Sequence, residues 1–194
     1  LAGFELSEKY KIPVLMRITT RLAHSRAGVE TSDNMRPQNK ISFPEDSRQF
    51  ILLPANSRRR FKTLLNEQVM FEAESTDSVY NSYIDGKNKK MGIIACGIAY
   101  NYLMESYPEG CEHPVIKISQ YPLPKALIAR MADECKEILV LEDGYAFVED
   151  KIKGLLGLGI TVRGRLDGTL DRDGELNPDK VAQALGLKNM SPYT

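Results

Sequence analysis

From Met91 onward, short apolar runs of strand length alternate with segments of helical period. Met91–Ala95, Pro114–Ser119, Glu137–Leu141 and Ile160–Val162 read as strands. Between them, Ile98, Ala99, Tyr102 and Leu103 share one helical face, and Leu127, Ile128, Met131, Ala132 and Cys135 share another. Val148, Ile152, Leu155 and Leu156 line a third helix; Asn177 and Pro178 open a last one, closed by Gly186. Strand–helix units of this length imply right-handed crossovers and a mainly parallel sheet covered on both faces. The expected fold class is α/β, in three α/β/α layers.

Upstream, Ala2 to Tyr10 reads as the end of a helix and Pro13 to Thr20 as a buried strand. That strand runs into Thr19, Thr20, Arg21, Leu22, Ala23, His24 and Ser25. Ligands collect outside the carboxyl ends of strands in open α/β sheets, so a cluster of hydroxyls, cations and an imidazole has a use there. Arginine and threonine could fix a carboxylate, and His24 could exchange protons near neutrality. The same residues serve equally as turn formers and interdomain contacts. Almost nothing precedes this strand to build a sheet around it, and Thr31–Ser47 is polar, broken by Pro37 and Pro44. The expectation is the last piece of one domain, then a bridge, then the whole of a second domain.

Phe50–Leu53 is a short apolar run ahead of Pro54. Asn56 or Ser57 is a candidate cap for a helix with Phe61, Leu64, Leu65, Gln68 and Val69 on one face. Arg58, Arg59 and Arg60 would then occupy its first turn, where the helix dipole disfavours cations. They read as a solvated cluster or as a contact to an anionic surface of a neighbouring domain or subunit.

Charge balance narrows the partners. Lys+Arg and Asp+Glu both number 26, which argues against a nucleic-acid or anionic-membrane partner. No run approaches the roughly 20 apolar residues of a membrane span, and no signal-peptide pattern opens the chain, so a cytoplasmic setting is expected. Cys96, Cys111 and Cys135 form no CxxC pair and read as free thiols in a reducing compartment. They fall short of the four thiolates of an iron–sulfur cluster, and His24 and His113 are the only imidazoles, so no metal site is expected.

Other motifs carry little chemistry. Gly92–Ala99 has the outline of a phosphate-binding strand–turn–helix, but Ile98-Ala99 stands where Lys-Ser/Thr would be. Gly97 is therefore a tight-turn glycine, or a possible anion turn at a helix N-terminus. Gly157-Leu158-Gly159 precedes a strand instead of opening a helix and fails as a dinucleotide fingerprint. Glu142-Asp143-Gly144 could mimic a metal-diphosphate signature but lacks a spaced Asn partner, and such carboxylates also cap helices.

Several blocks in succession resemble a known family. Phe4–Tyr10, Pro13–Ser25, Leu53–Arg60, Gly92–Tyr100, Tyr121–Pro124 and Val140–Gly144 are similar, in this order, to the α-subunit of the indolepyruvate:ferredoxin oxidoreductases. These are thiamine-diphosphate-dependent 2-oxoacid:ferredoxin oxidoreductases. The resemblance implies a whole enzyme that oxidatively decarboxylates aryl 2-oxoacids to acyl-CoA and passes electrons to ferredoxin. Its cofactors would be thiamine diphosphate, Mg2+ and 4Fe-4S clusters, none of them expected on this chain; its partners would be a β-subunit, ferredoxin, coenzyme A and further domains of the same subunit. It also implies a division: residues 1–29 end a pyrimidine-binding domain, 30–55 link, 56–90 form a helical lead-in, and 91–194 form a transketolase C-terminal-like domain. On that reading Thr19, Thr20, Arg21 and His24 lie near substrate or cofactor, and Arg58–Arg60, Tyr121 and Pro122 face other domains. Alternatives are a free-standing anion- or nucleotide-binding module, or the C-terminal domain of another thiamine-diphosphate enzyme.

Overall fold

The computed structural model describes residues 1–31, 40–107, 109–143 and 145–154, with Gly168 and Asp173. The chain divides into two units, Leu1–Ser42 and Phe43–Thr194.

In the first unit, helix α1 spans Ala2–Tyr10 and ends on Lys11 in the left-handed conformation. The Ser7 hydroxyl donates to the Ile12 carbonyl at 2.7 Å, which turns the chain back along the helix. Residues 13–19 do not form the expected strand, and Leu15 and Met16 are 97% and 70% exposed. A strand needs a neighbour to share its ladder, and the described residues of this unit supply none. The segment instead ends in a short helix, α2, over Thr20–His24.

The second unit opens with a 3-10 turn, Ser47–Phe50, and the long helix α3, Pro54–Thr76. This helix starts on Pro54 rather than being capped by Asn56 or Ser57. Proline is preorganised for the first helical position, and Asn56 Nδ2 is turned to the Ile51 carbonyl at 3.2 Å. Arg58–Arg60 consequently sit in the second turn. The apolar face expected of this helix is not buried in the unit: Phe61, Leu64 and Val69 are exposed, and Ser75 is the buried residue of α3.

Strand β1 (Ser82–Ile84) lies within residues 56–90, expected to be a helical lead-in. Then follow β2 (Gly92–Cys96), α4 (Ile98–Ser106), β3 (Val115–Ile118), α5 (Lys125–Glu134), β4 (Ile138–Leu141) and α6 (Phe147–Lys153). The sheet order is β1-β3-β2-β4. β2 pairs in parallel with both β3 and β4, while β1 runs antiparallel along β3. The strand at Ile160–Val162 and the final helix lie outside the described residues.

Alternation along the strands builds the two cores. Ile94, Ile116 and Ile118 point to one face, where Met131 of α5 and Val148 of α6 cover them. Ile93, Ala95 and Val115 point to the other, beneath Leu103 of α4. Helices on both faces of a mostly parallel sheet make the three-layer α/β/α arrangement expected. Gly92 permits the close approach of α5, because a Cβ there would come within 2.6 Å of the Met131 side chain.

Candidate functional site

β2 lies between β3 and β4, and the chain leaves β2 and β4 for helices on opposite faces. Their carboxyl ends therefore flank the switch-point crevice where α/β sheets generally hold ligands. Cys96, Gly97, Ser119 and Glu142 line this end of the sheet.

Their side chains are largely committed to structure. Burial, and secondarily the Glu142 charge, pushes the Cys96 thiol up to about 12, so it stays protonated near neutrality and is no nucleophile. Glu142 accepts from the Val148 and Glu149 backbone N–H groups at 2.9 and 3.1 Å, so its carboxylate caps α6. The helix-cap reading of Glu142 therefore stands. Gly97 turns the chain with φ 55° and ψ −121°, a conformation that favours glycine. Its N–H donates to the Ile118 carbonyl at 2.8 Å and is already spent on β3.

The loop leaving β3 is the most tightly held feature at this end, and the residue holding it was not singled out in the sequence. Asn81, 5% exposed, accepts from Ser119 and Gln120 N–H at 2.8 and 3.0 Å. Its Nδ2 donates to the Ser75 carbonyl, the Ser75 hydroxyl and the Gln120 carbonyl at 2.8, 2.9 and 2.9 Å. The Ser75 hydroxyl lies within reach of both the Gln120 and Pro122 carbonyls. This joins the end of α3 and the start of β1 to the loop carrying the cis Tyr121-Pro122 bond. The half-exposed Tyr121 ring meets Phe147 edge-on, with centroids 5.8 Å apart. Backbone groups 38 and 39 residues away reveal what Asn81 does, which is why composition and periodicity pass over it.

The other sequence candidates fall in separate places. Thr19 is the N-cap of α2, its Oγ1 accepting from Leu22 N–H at 3.3 Å. Thr20 and Arg21 begin that helix and His24 ends it, so this cluster terminates no strand. Arg59 forms an exposed pair with Asp46 at 3.4 Å, the solvated reading of that cation. Thr19–His24 lie in the first unit, and Arg58–Arg60, Gly97, Tyr121 and Pro122 in the second.

The described residues contain no group of three His, Cys, Asp or Glu side chains that could hold a metal ion. With Glu142 spent on α6 and the cysteines dispersed as free thiols, the donor set of the described residues fits neither Mg2+ nor an iron–sulfur cluster. No helix among the described residues is long and apolar enough to cross a membrane.

Fold and site together define a three-layer α/β domain whose strand ends carry a helix cap and a loop anchor. The chain is similar to the indolepyruvate oxidoreductase subunit IorA of Methanothermobacter thermautotrophicus, 33% identical over 94% of this chain and 31% of that protein. It is also 33% identical to the subunit IorA of Methanothermobacter marburgensis, over 98% of this chain and 32% of that protein. The Archaeoglobus fulgidus subunit IorA is 31% identical over 98% of this chain and 31% of its own length. The chain is thus homologous to IorA subunits over nearly all its length, and spans about a third of theirs. No family model matches it, and no solved structure does.

Proposed function

We propose that this chain is part of an indolepyruvate oxidoreductase and serves there as a scaffold domain rather than as the reacting centre. The observation that carries the reading is the similarity to IorA subunits over 94 to 98% of the chain. The whole enzyme would oxidise indolepyruvate and other aryl 2-oxoacids to acyl-CoA and pass electrons to ferredoxin. Thiamine diphosphate, Mg2+ and 4Fe-4S clusters would be held by other parts of that enzyme and its β-subunit. The chain alone is inactive on this reading, in keeping with a Glu142 carboxylate spent on capping α6 and a Cys96 thiol held protonated by burial.

Residues 91–194, within the second unit, would be the transketolase C-terminal-like domain, and residues 1–29 would end the pyrimidine-binding domain. The exposed Leu15 and Met16 support a first unit that completes its packing elsewhere in the larger protein. Thr19, Thr20, Arg21 and His24 remain the residues proposed nearest substrate or cofactor, and Arg58–Arg60, Tyr121 and Pro122 those proposed to face other domains. A cytoplasmic location is part of the same reading.

The test uses the full-length subunit with its partner, prepared anaerobically with cofactors loaded. Coenzyme-A-dependent reduction of a viologen dye is measured with indolepyruvate, phenylpyruvate and pyruvate in parallel. Faster turnover of the aryl substrates is expected. No turnover of any 2-oxoacid overturns the reading in favour of an anion-binding module.

A further inference from the structure

The loop from β1 into β2, at the amino end of the sheet, carries Asp85 followed by Gly86. Aspartate before glycine is the pair most prone to rearrange on its own, because glycine has no Cβ to shield its backbone nitrogen. Here packing imposes the glycine. A Cβ on Gly86 would come within 2.2 Å of the His113 carbonyl carbon and 2.5 Å of the Glu112 and His113 oxygens. The Asp85 side chain is 67% exposed, so water reaches it. The same geometry also restrains the pair. Lys89 Nζ donates to Asp85 Oδ1 at 2.5 Å and to Glu134 Oε2 at 2.6 Å. The Gly86 N–H donates to the same Asp85 oxygen at 2.8 Å.

We propose that Asp85-Gly86 is a site of isoaspartate formation, and that Lys89, bonded to both Asp85 and Glu134, keeps it slow in the folded chain. In this rearrangement the Gly86 nitrogen gives up its proton and attacks Asp85 Cγ. An N–Cγ bond forms, a Cγ–O bond breaks and one water leaves, closing a five-membered imide. Water then reopens the ring. Addition at Cγ restores aspartate, whereas addition at the Asp85 backbone carbonyl leaves Gly86 joined through Asp85 Cγ, at unchanged mass. Ring closure needs the neutral carboxylic acid, since an ionised carboxylate has no good leaving group. Hydrogen bonds from Lys89 first, and then from Gly86 N–H, hold the Asp85 carboxyl below its ordinary value, which makes that acid scarce. The Gly86 N–H must also swing away from Oδ1 before its nitrogen can face Cγ. The backbone of Glu112 and His113 behind Gly86 resists that rotation, as does the bond from Asn88 N–H to the Glu112 carbonyl at 3.0 Å.

The test incubates the 194-residue chain, Lys89→Met and Glu134→Gln near neutral pH, with circular dichroism confirming that each stays folded. Isoaspartate at Asp85 is read by peptide mapping, as a peptide of unchanged mass that resists an aspartate-specific protease. Lys89→Met should raise the folded-state rate about threefold, the size of effect a solvent-screened ion pair exerts. Glu134→Gln leaves Lys89 to Asp85 alone and should not raise it. In concentrated urea the wild-type rate should exceed its folded rate, and wild type and Lys89→Met should become equal. A folded wild type that rearranges as fast as the chain in urea overturns the proposal, as does the absence of isoaspartate at Asp85 throughout. Equal rates for folded wild type and Lys89→Met also overturn it. A Glu134→Gln rate as high as that of Lys89→Met does so too, because loosening of the whole amino end would then set the rate. If the Lys89→Met difference persists in urea, the ion pair is not its cause and the proposal falls.

Discussion

At the carboxyl end of the sheet, Ser75 and Asn81 are 0% and 5% exposed, uncharged, and hydrogen-bonded through every polar atom of their side chains. At the amino end, Glu134 gathers Lys89 at 2.6 Å, Arg130 at 2.6 Å and the Tyr83 hydroxyl at 2.8 Å around a carboxylate still 29% exposed. The second network has formal charges and short distances, but the first should matter more to stability. Water competes for the partners of Glu134 and screens its charge, whereas nothing replaces a partner lost in the dry cluster around Asn81. Number and charge of contacts are therefore a poor guide, and access to solvent is the better one.

The largest effect expected from this contrast comes from Asn81→Ala. It strips partners from the Ser119 and Gln120 N–H groups and from the Ser75 hydroxyl at once. The expected loss is about 3 kcal/mol, read as a lower urea midpoint at unchanged slope. Asn81→Asp sharpens the point. It keeps both acceptor contacts but replaces the donating amide by a charge against the Ser75 and Gln120 carbonyls, and it should rescue nothing. A loss below the Glu134→Gln effect would break the comparison.

Ser75→Ala should cost less, about 1 kcal/mol in the same urea experiment. The Gln120 carbonyl keeps its bond from Asn81, so the Pro122 carbonyl is the main group left short of a partner. The Tyr121 ring should meanwhile hold its place beside Phe147, because Asn81 still anchors the loop from Ser119 and Gln120.

The networks also differ in how visible they are from sequence. β2 and β3 are legible because strands buried on both faces need continuous apolar runs, such as Gly92–Cys96, and β4 is legible from its apolar run Ile138–Leu141 although it lies at the sheet edge with Leu139 exposed. β1 is not, since an edge strand of three residues leaves no period to read. Asn81 is hidden for a related reason: its hydrogen-bonding partners Ser119 and Gln120 are 38 and 39 residues away, and nothing local distinguishes it from a loop asparagine. Pro13–Thr20 fails in the opposite sense. Its apolar content suits a buried strand, but burial depends on a neighbour that the described residues of this unit do not provide. Of the candidate site, the Glu142 helix cap was legible as one of two readings, and its choice rests on two backbone N–H groups that only the fold brings near.

The smallest effect, and the most discriminating, is the pH and salt dependence of the amino-end network. Hydrogen bonds from Lys89 first, then Arg130 and Tyr83, hold the Glu134 carboxyl down at about 2, against 4.5 for a free glutamate. A carboxyl depressed in the folded state adds stability that is present in full above about 4.5 and lost as pH falls through about 2. The wild-type urea midpoint should therefore decline across that window, and more steeply than that of Glu134→Gln. Lys89 is raised by its bonds to Asp85 and Glu134, so it stays charged throughout this window and supplies no opposing slope. Added salt at pH 7 should narrow the gap between wild type and Glu134→Gln, while leaving the gap between wild type and Asn81→Ala almost unchanged. If salt closed both gaps alike, the Asn81 cluster would be reached by water, and the contrast between the two ends of the sheet would fail.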